Sequence, residues 1–305
     1  MKRFYKKGIS LFLILLMSFP LCACKSDDSK ALTTVKLNEV AHSIFYAPMY
    51  VAIEKGYFED EGIELSLTTG FGADKTMAAV VSGDADVGFM GTEASIYAYT
   101  EGAKDHVINF AQLTQRAGNF VVARENADSF SYEDMIGKDV LGGRAGGTPE
   151  MVYEYVLREN GVSPSEVKID QSIDFGSTAA AFSGGQGDYT IEFEPSATAL
   201  EQSGDGYVVA SIGVDSGYLP YTAFCAKESY LKENADLIQH FTNALQKGMD
   251  YVAGHSPEEI ATVIAPQFSE TDLKTLTLIV SRYYDQETWN TCLLYTSDAA
   301  DEARS

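Results

Sequence analysis

The sequence predicts an α/β protein of two comparable halves set around a cleft. Strand-like and helix-like runs alternate from residue 35 onward, the grammar of parallel or mixed sheets with helical crossovers. One plan also occurs twice. "AAVVSGDADVGFMGTEASIYAYTEG" (78–102) and "AAFSGGQGDYTIEFEPSATALEQSG" (180–204) each read as a small apolar helix, a Gly-x-x-Asp turn, a short strand, a carboxylate, a helix and a glycine. The chain of 305 residues, 45% hydrophobic and 22% charged, is long and apolar enough for about two domains.

Taken in order, "TTVKLNEVAH" alternates as a strand. Pro48 then sits in the first turn of a helix running to Lys55, with Gly56 as its stop. Val51 and Ile53 give that helix a packing face, and an aromatic after the glycine stop, in "GYF", is expected to plug the core. "GIELSLTTG" is the second strand, and "ADKTMAAVVSG" a short helix with Met77, Val80 and Val81 on one face. "ADVGFMG" is a third strand, "EASIYAYTEG" a helix and "VINFAQLT" another strand. After "GNFVVAR" and a polar stretch the second unit begins: strand "DVLGG", helix "TPEMVYEYVLRENG", strand "VKIDQSI" and helix "STAAAFSGG". Strand "DYTIEF", helix "PSATALEQSG" and "GYVVASIG" complete it. From "YTAFCAK" the pattern is mostly helical, with Leu237, Phe241, Leu245 and Met249 on one stripe. The helical pattern continues through "LIVSRYYDQETWN", which carries no cap signal.

The first residues bear on compartment. Lys2, Arg3, Lys6 and Lys7 precede an apolar run over 9–21 that is too short to span a membrane and suits a secretory leader. The run ends in Leu21-Cys22-Ala23-Cys24, which resembles a bacterial lipobox. Residues 1–24 are therefore expected to be a lipoprotein signal, with Cys24 lipidated and 25–34 a tether. Two acyl chains on Cys24 would hold the body outside the cytoplasmic membrane. An ordinary signal peptide with incidental cysteines is the alternative. Only Cys225 and Cys292 then remain, too far apart for a disulfide framework or a CxxC metal site. At the other end "CLLYTSDAADE" resembles a translated sequencing adapter, so 292–305 are expected to be non-native; a genuine acidic tail is the alternative. The net charge of −22 argues against nucleic acid and anionic head groups as partners.

Motifs for chemistry are sparse. "GFGADKT" has Asp74 where a phosphate loop needs glycine before its lysine, and "GGRAGGTPE" has Arg144 two residues after Gly142, so neither is a nucleotide fingerprint. Both remain Gly-rich βα turns, which either do nothing more or present helix amides to an anionic group. In the second, Thr148 is a candidate N-cap and Pro149 a candidate first helical residue. His42, His106, His240 and His255 lack metal-ligand spacing, and no GxSxG or HExxH occurs. Glu93, Glu192 and Glu194 lie where strands meet helices, positions from which a carboxylate caps amides or meets a ligand's donors.

"FYAPMYVAIEKGYFEDEGIEL", "GADKTMAAVVSGDADVGFMG", "SYEDMIGKDVLGGRAGGTPEM" and "GDYTIEFEPSATALE" together resemble the ABC-transporter solute-binding proteins for thiamine-pyrimidine precursors, sulfonates, taurine and nitrate. The resemblance covers roughly residues 35–291. It implies a two-lobed periplasmic-binding-protein-like fold of type II. Residues 35–119 plus 224–291 would form lobe 1 and 120–223 lobe 2, with hinge crossings near "FVVAR" and "YTAFCAK". It also implies ligand capture at the loops that follow strands. Here those places hold His42, Ser43, Phe45 and Tyr46, then Gly72, Ala73 and Asp74, then Thr92 and Glu93. Gln112, Thr114 and Arg116 precede the first crossing, and the far lobe offers Arg144, Gly146, Gly147, Thr148 and Glu194.

On this reading the first loop's rings would stack on a planar or apolar body. Arg116 and Arg144 would clamp an anionic head group, or serve only as surface ion pairs. The aromatic loop favours a thiamine-type pyrimidine, and the arginines a sulfonate, taurine or nitrate. The implied partners are a small-molecule ligand and an ABC permease with its ATPase, with no cofactor and no metal, for a monomer anchored by lipid. The same fold also hosts a thiamine-pyrimidine synthase, whose cysteine-rich run has only Cys225 as its nearest counterpart here. A sensory ligand-binding domain would need a membrane helix leading to a signalling module, and none is read.

Overall fold

The computed structural model describes residues 31–126, 129–173 and 175–295, with side chains as far as residue 289. The expected leader, Cys24, the tether up to residue 30, and residues 296–305 lie outside the described residues. The first lobe opens with β1 (Thr33–Glu39), α1 (Ala47–Glu54), α2 (Tyr57–Asp60), β2 (Ile63–Thr69), α3 (Ala73–Ser82), β3 (Val87–Gly91), α4 (Glu93–Thr100) and β4 (Val107–Thr114). The second lobe holds β5 (Asn119–Ala123), β6 (Asp139–Leu141), α5 (Thr148–Glu159), β7 (Lys168–Asp170), α6 (Phe175–Ser183), β8 (Tyr189–Phe193), α7 (Ser196–Ser203), β9 (Tyr207–Ser211) and α8 (Ile212–Asp215). The chain then returns as β10 (Thr222–Lys227), α9 (Glu228–Glu233), α10 (Ala235–Gly254), α11 (Pro257–Ile264), α12 (Leu273–Asp285) and β11 (Trp289–Tyr295).

Two sheets result. The first is ordered β11-β4-β10-β3-β1-β2 and the second β7-β6-β8-β5-β9. In lobe 1, β1 runs parallel to β2 and β3, whereas β10 runs antiparallel to β3 and β4. In lobe 2, β6 is parallel to β7 and β8, and β5 is antiparallel to β8 and β9. Alternation along the strands supplies both faces of the first sheet. Phe89 and Phe224 stack at 4.2 Å on the main core side. Their neighbours Met90 and Cys225 turn the other way, to Met77 and Val80 of α3 and Ala94 of α4. Phe58 is fully buried against Phe241 of α10. In α10, Phe241, Leu245 and Met249 are buried and Leu237 partly so. Gly248 lets that helix meet α1, because a Cβ there would collide with the Pro48 carbonyl.

Strand pairing sets the crossings a little differently from the sequence expectation. Asn119 already pairs with Phe193 in lobe 2, and Thr222 and Ala223 already pair in the lobe 1 sheet. The crossings are thus residues 115–118 and 216–221. They bond to each other through Leu219 N–H to the Gln115 carbonyl at 2.9 Å.

A second difference is at the end of the helical region. The expected run through "LIVSRYYDQETWN" stops at Asp285, and Trp289 begins a strand on β4. The helix does have a cap. Glu287 takes φ +56° and donates its N–H to the Tyr284 carbonyl, and Thr288 N–H reaches the Tyr283 carbonyl at 3.0 Å. That is the hydrogen-bond pattern of a Schellman motif, with glutamate where glycine is usual.

Glu192 on β8 is 1% exposed and accepts from Thr190 Oγ1 at 2.6 Å. Burial pushes its carboxyl from 4.5 up to about 7. A raised carboxyl favours the folded state in its protonated form, so this contribution is full below about 4.5 and is lost as pH rises through about 7. Glu192→Gln is therefore predicted to be more stable than the parent at pH 8, by at most about 3 kcal/mol. The advantage should shrink by pH 5. Urea unfolding at the two pH values checks this, and an advantage undiminished at pH 5 would contradict it.

Candidate functional site

The loops that follow the lobe 1 strands converge with the two crossings and the start of α5. After β1, Ser43 caps a one-turn 3-10 segment, Ile44–Tyr46, accepting from Phe45 N–H at 3.3 Å. All three residues of that turn are buried. Phe45 is the wedge of the junction. Its ring lies 5.3 Å from Tyr46, 5.7 Å from Tyr221, 5.2 Å from Tyr283 and 6.2 Å from Phe193 of the opposite lobe. Gly118 in the first crossing is required by this ring, since a Cβ there would fall 2.6 Å from it. Tyr46 packs on Phe89 at 4.5 Å, and burial raises its phenol further above the usual range, with Glu39 and Glu93 adding to the effect.

His42 holds the loop from behind. Its Nδ1 lies 3.0 Å from Glu39 Oε1 and its Nε2 2.9 Å from the Gln267 carbonyl. A carbonyl only accepts, so Nε2 carries the proton in that bond. The hydrogen bond to Glu39 raises the histidine's pKa, which favours imidazolium with both nitrogens donating. Glu39 itself is fully buried and also accepts from Tyr50 Oη at 2.5 Å and Thr69 Oγ1 at 2.9 Å. Both ring nitrogens of His42, a residue expected to contact ligand, are thus engaged inside lobe 1. The cavity beside this cluster, about 320 Å³, is lined by lobe 1 residues alone, among them Ile53, Leu65, Leu67 and Thr69.

Across the mouth the two lobes touch. Asp74 lies 3.7 Å from Arg144, and Tyr97 Oη donates to the Gly146 carbonyl at 3.0 Å. Glu93 reaches from the start of α4 to the start of α5, accepting from Thr148 N–H at 3.1 Å and from Thr148 Oγ1. The expected cap role of Thr148 is therefore inverted. Gly147 is the N-cap and has no side chain, Thr148 is the first helical residue, and the capping oxygen arrives from the other lobe. Gly146 N–H is taken by Glu150 at 3.2 Å. Gly72, with φ +148°, and Ala73 open α3 beside Asp74.

The other expected residues have structural partners. Arg116 donates to the Gly213 carbonyl at 3.0 Å, pairs with Glu287 and lies over the Tyr218 ring, while Arg144 faces Asp74. The two guanidiniums are held by separate partners rather than in one clamp. Gln112 donates to the Thr114 carbonyl at 3.0 Å, and Thr114 Oγ1 accepts from Thr222 N–H at 3.0 Å. Thr92 Oγ1 donates to the Pro220 carbonyl at 3.3 Å. Glu194 is buried and accepts from Thr198 and from Arg282 of α12 at 2.7 Å, so it joins α12 to lobe 2.

Sequence reasoning missed the crossing floor. Asn119 and Tyr221 are buried, and Asn119 Oδ1 and Nδ2 and Tyr221 Oη have no hydrogen-bond partner. Both flank Phe45: Tyr221 edge-on, and Asn119 directly after the glycine under its ring. The available signal was a polar residue opening the apolar run "NFVVA". Among the described residues no group of three or more His, Cys, Asp or Glu could hold a metal, and no helix is long and apolar enough to cross a membrane.

The comparisons with known proteins agree on the family. The family model described as NMT1/THI5 like matches residues 44–260. The protein named "Putative binding protein YtlA" of Bacillus subtilis (strain 168) is 44% identical over 291 residues, 95% of this chain and 86% of that protein. Among solved structures, the alkanesulfonate-binding protein SsuA from Xanthomonas axonopodis pv. citri, bound to MOPS, superposes with a TM-score of 0.67 at 14% identity, covering 86% of this chain and 96% of that one. The periplasmic nitrate-binding protein NrtA from Synechocystis PCC 6803 gives 0.65 at 17% identity, covering 80% and 69%. At those identities the likeness is one of fold. With two α/β lobes joined by two crossings, and with these matches, the chain belongs to the NMT1/THI5 like family and has the periplasmic-binding-protein-like fold of solute-binding proteins.

Proposed function

We propose that this protein captures a small organic solute between its lobes and delivers it to an ABC permease and its ATPase. The favoured cargo is a thiamine-precursor pyrimidine or a related planar heterocycle. The observation that carries this choice is the floor of the junction: a buried, unpartnered Asn119 amide on β5 opposite Phe193, and a buried, unpartnered Tyr221 hydroxyl on a ring that meets Phe45. A buried polar group left unpaired costs about 1–3 kcal/mol, so a solute that completes these bonds gains affinity there. An asparagine amide offers a donor beside an acceptor, the complement of a ring nitrogen next to an exocyclic amine. Aromatic walls suit such a ring by stacking or edge contact.

The relatives named for alkanesulfonate and nitrate make an anion the alternative cargo. It has less support here: Arg116 Nε is unpartnered, but the rest of that guanidinium is engaged by the α8 carbonyls and Glu287, and Arg144 faces Asp74. An enzyme of the synthase kind has less again. Cys225 is fully buried, and burial pushes its thiol up to about 12. Capture proceeds by a hinge at residues 115–118 and 216–221, with the solute favouring the closed arrangement by its differential contacts. The lipobox-like end at Cys24 supports an extracytoplasmic protein tethered to the membrane by lipid.

Three measurements test this. Thermal-shift screening against pyrimidines, sulfonates, taurine and nitrate should raise the midpoint with the heterocycle, by mass action on the folded state. With that ligand, Asn119→Ala and Tyr221→Phe are each predicted to weaken binding about tenfold, on the order of 1.4 kcal/mol. Unchanged calorimetric affinity in both variants would remove the floor from the site. Separately, Cys24→Ala expressed in a bacterium is predicted to move the protein from the membrane fraction to the soluble extracytoplasmic one; retention in the membrane would contradict the anchor.

A further inference from the structure

The contact between Glu93 and α5 bears on which solutes the cleft accepts. Glu93 is the first residue of α4 in lobe 1, and Thr148 the first residue of α5 in lobe 2. The carboxylate therefore lies where the N-termini of two helices from opposite lobes meet. Each end carries partial positive charge and unpaired N–H groups, so one negative group between them stabilises both. Three features of the chain fit it there. Gly147 supplies no capping side chain to α5, and the first amide of the helix, Thr148 N–H, goes to the Glu93 oxygen. Thr148 adds its hydroxyl as a second donor to the other carboxylate oxygen. Gly91 is bare where the carboxylate folds back, since a Cβ there would collide with Glu93 Oε2 and crowd Thr148 Oγ1, 2.6 Å away. Tyr97, on the same helix as Glu93, reinforces the junction through the Gly146 carbonyl.

We propose that Glu93 is a specificity-determining residue that acts as a built-in anion: it latches the lobes by capping α5 across the cleft, and so excludes anionic solutes while admitting neutral or cationic ones. The inference rests on the reading that this cleft is where solute is captured. A sulfonate or nitrate would have to displace a carboxylate already carrying two hydrogen bonds, and would meet its charge at close range. A neutral ring meets neither obstacle. Removing the charge should then do two things at once: leave two positive helix ends facing each other, and open a place for an external anion.

The test uses the full chain, with methanesulfonate and a 4-aminopyrimidine as probes, in the parent, Glu93→Gln and Glu93→Ala. Calorimetry should show methanesulfonate binding at least tenfold tighter to Glu93→Gln, which keeps the side-chain shape without the charge, than to the parent. Hydrogen exchange without any probe should show the Thr148 amide exchanging about tenfold faster in Glu93→Ala, a local readout that does not require a ligand. Equal methanesulfonate affinity in parent and Glu93→Gln, or equal Thr148 exchange in parent and Glu93→Ala, would overturn the proposal. If the pyrimidine binds none of the three proteins while both expected changes occur, the Glu93 latch stands and the heterocycle assignment fails.

Discussion

Phe45 is the constraint on which the arrangement of the two lobes depends. Its ring fills the point where the first loop, both crossings and the second lobe meet, and each neighbour is shaped to receive it. Gly118 is bare beneath it, Phe193 approaches from lobe 2, and Tyr221 stands edge-on in the returning crossing. The backbone is fixed as well: Trp289 Nε1–H donates to the Phe45 carbonyl at 2.8 Å, and Tyr283 Oη to the Gly118 carbonyl at 3.0 Å. One aromatic residue, through its ring and its carbonyl, thus ties α12 and the start of β11 to both crossings. Residues beside it, Asn119 and Tyr221 above all, inherit positions that neither lobe would set alone.

Three carboxylates fix the lobes around that point, Glu39 and Glu194 buried and Glu93 partly buried. An ionised group out of water is tolerable only when its oxygens are satisfied. Glu39 meets this condition with His42, Tyr50 and Thr69, and the same bonds hold the first loop to the end of β1 and to the turn at Gln267. Glu194 meets it with Thr198 and Arg282, which fastens α12 to the second lobe. Glu93 meets it across the gap. The first two stiffen a lobe or its attachment, and the third acts between lobes.

Much of the fold was legible in the chain because βα grammar is local. Period-two strands, Gly-stopped helices and the repeated plan at 78–102 and 180–204 each declare themselves within a few residues, and β4 falls at Val107–Thr114 as expected. Other features were hidden because their cause lies elsewhere in the molecule. Glu287 caps α12 in a position where a reader looks for glycine, and β11 exists only through pairing with β4. In the candidate site the convergence of strand-end loops was readable, but the direction of each side chain was not. His42 and Arg116 turn to Gln267 and Gly213, each far off in sequence, while the Asn119 amide is buried without a protein partner. Polarity marks such residues as notable, and only tertiary contacts decide whether a ligand or the protein satisfies them.

The most direct measurement is a crystal structure of the full chain grown with a 4-aminopyrimidine. The account predicts the ring in the junction beside Phe45, within hydrogen-bond distance of the Asn119 amide and the Tyr221 hydroxyl, with Glu93 still on the Thr148 amide. A ring bound elsewhere, or one that leaves Asn119 and Tyr221 unpaired, would contradict it.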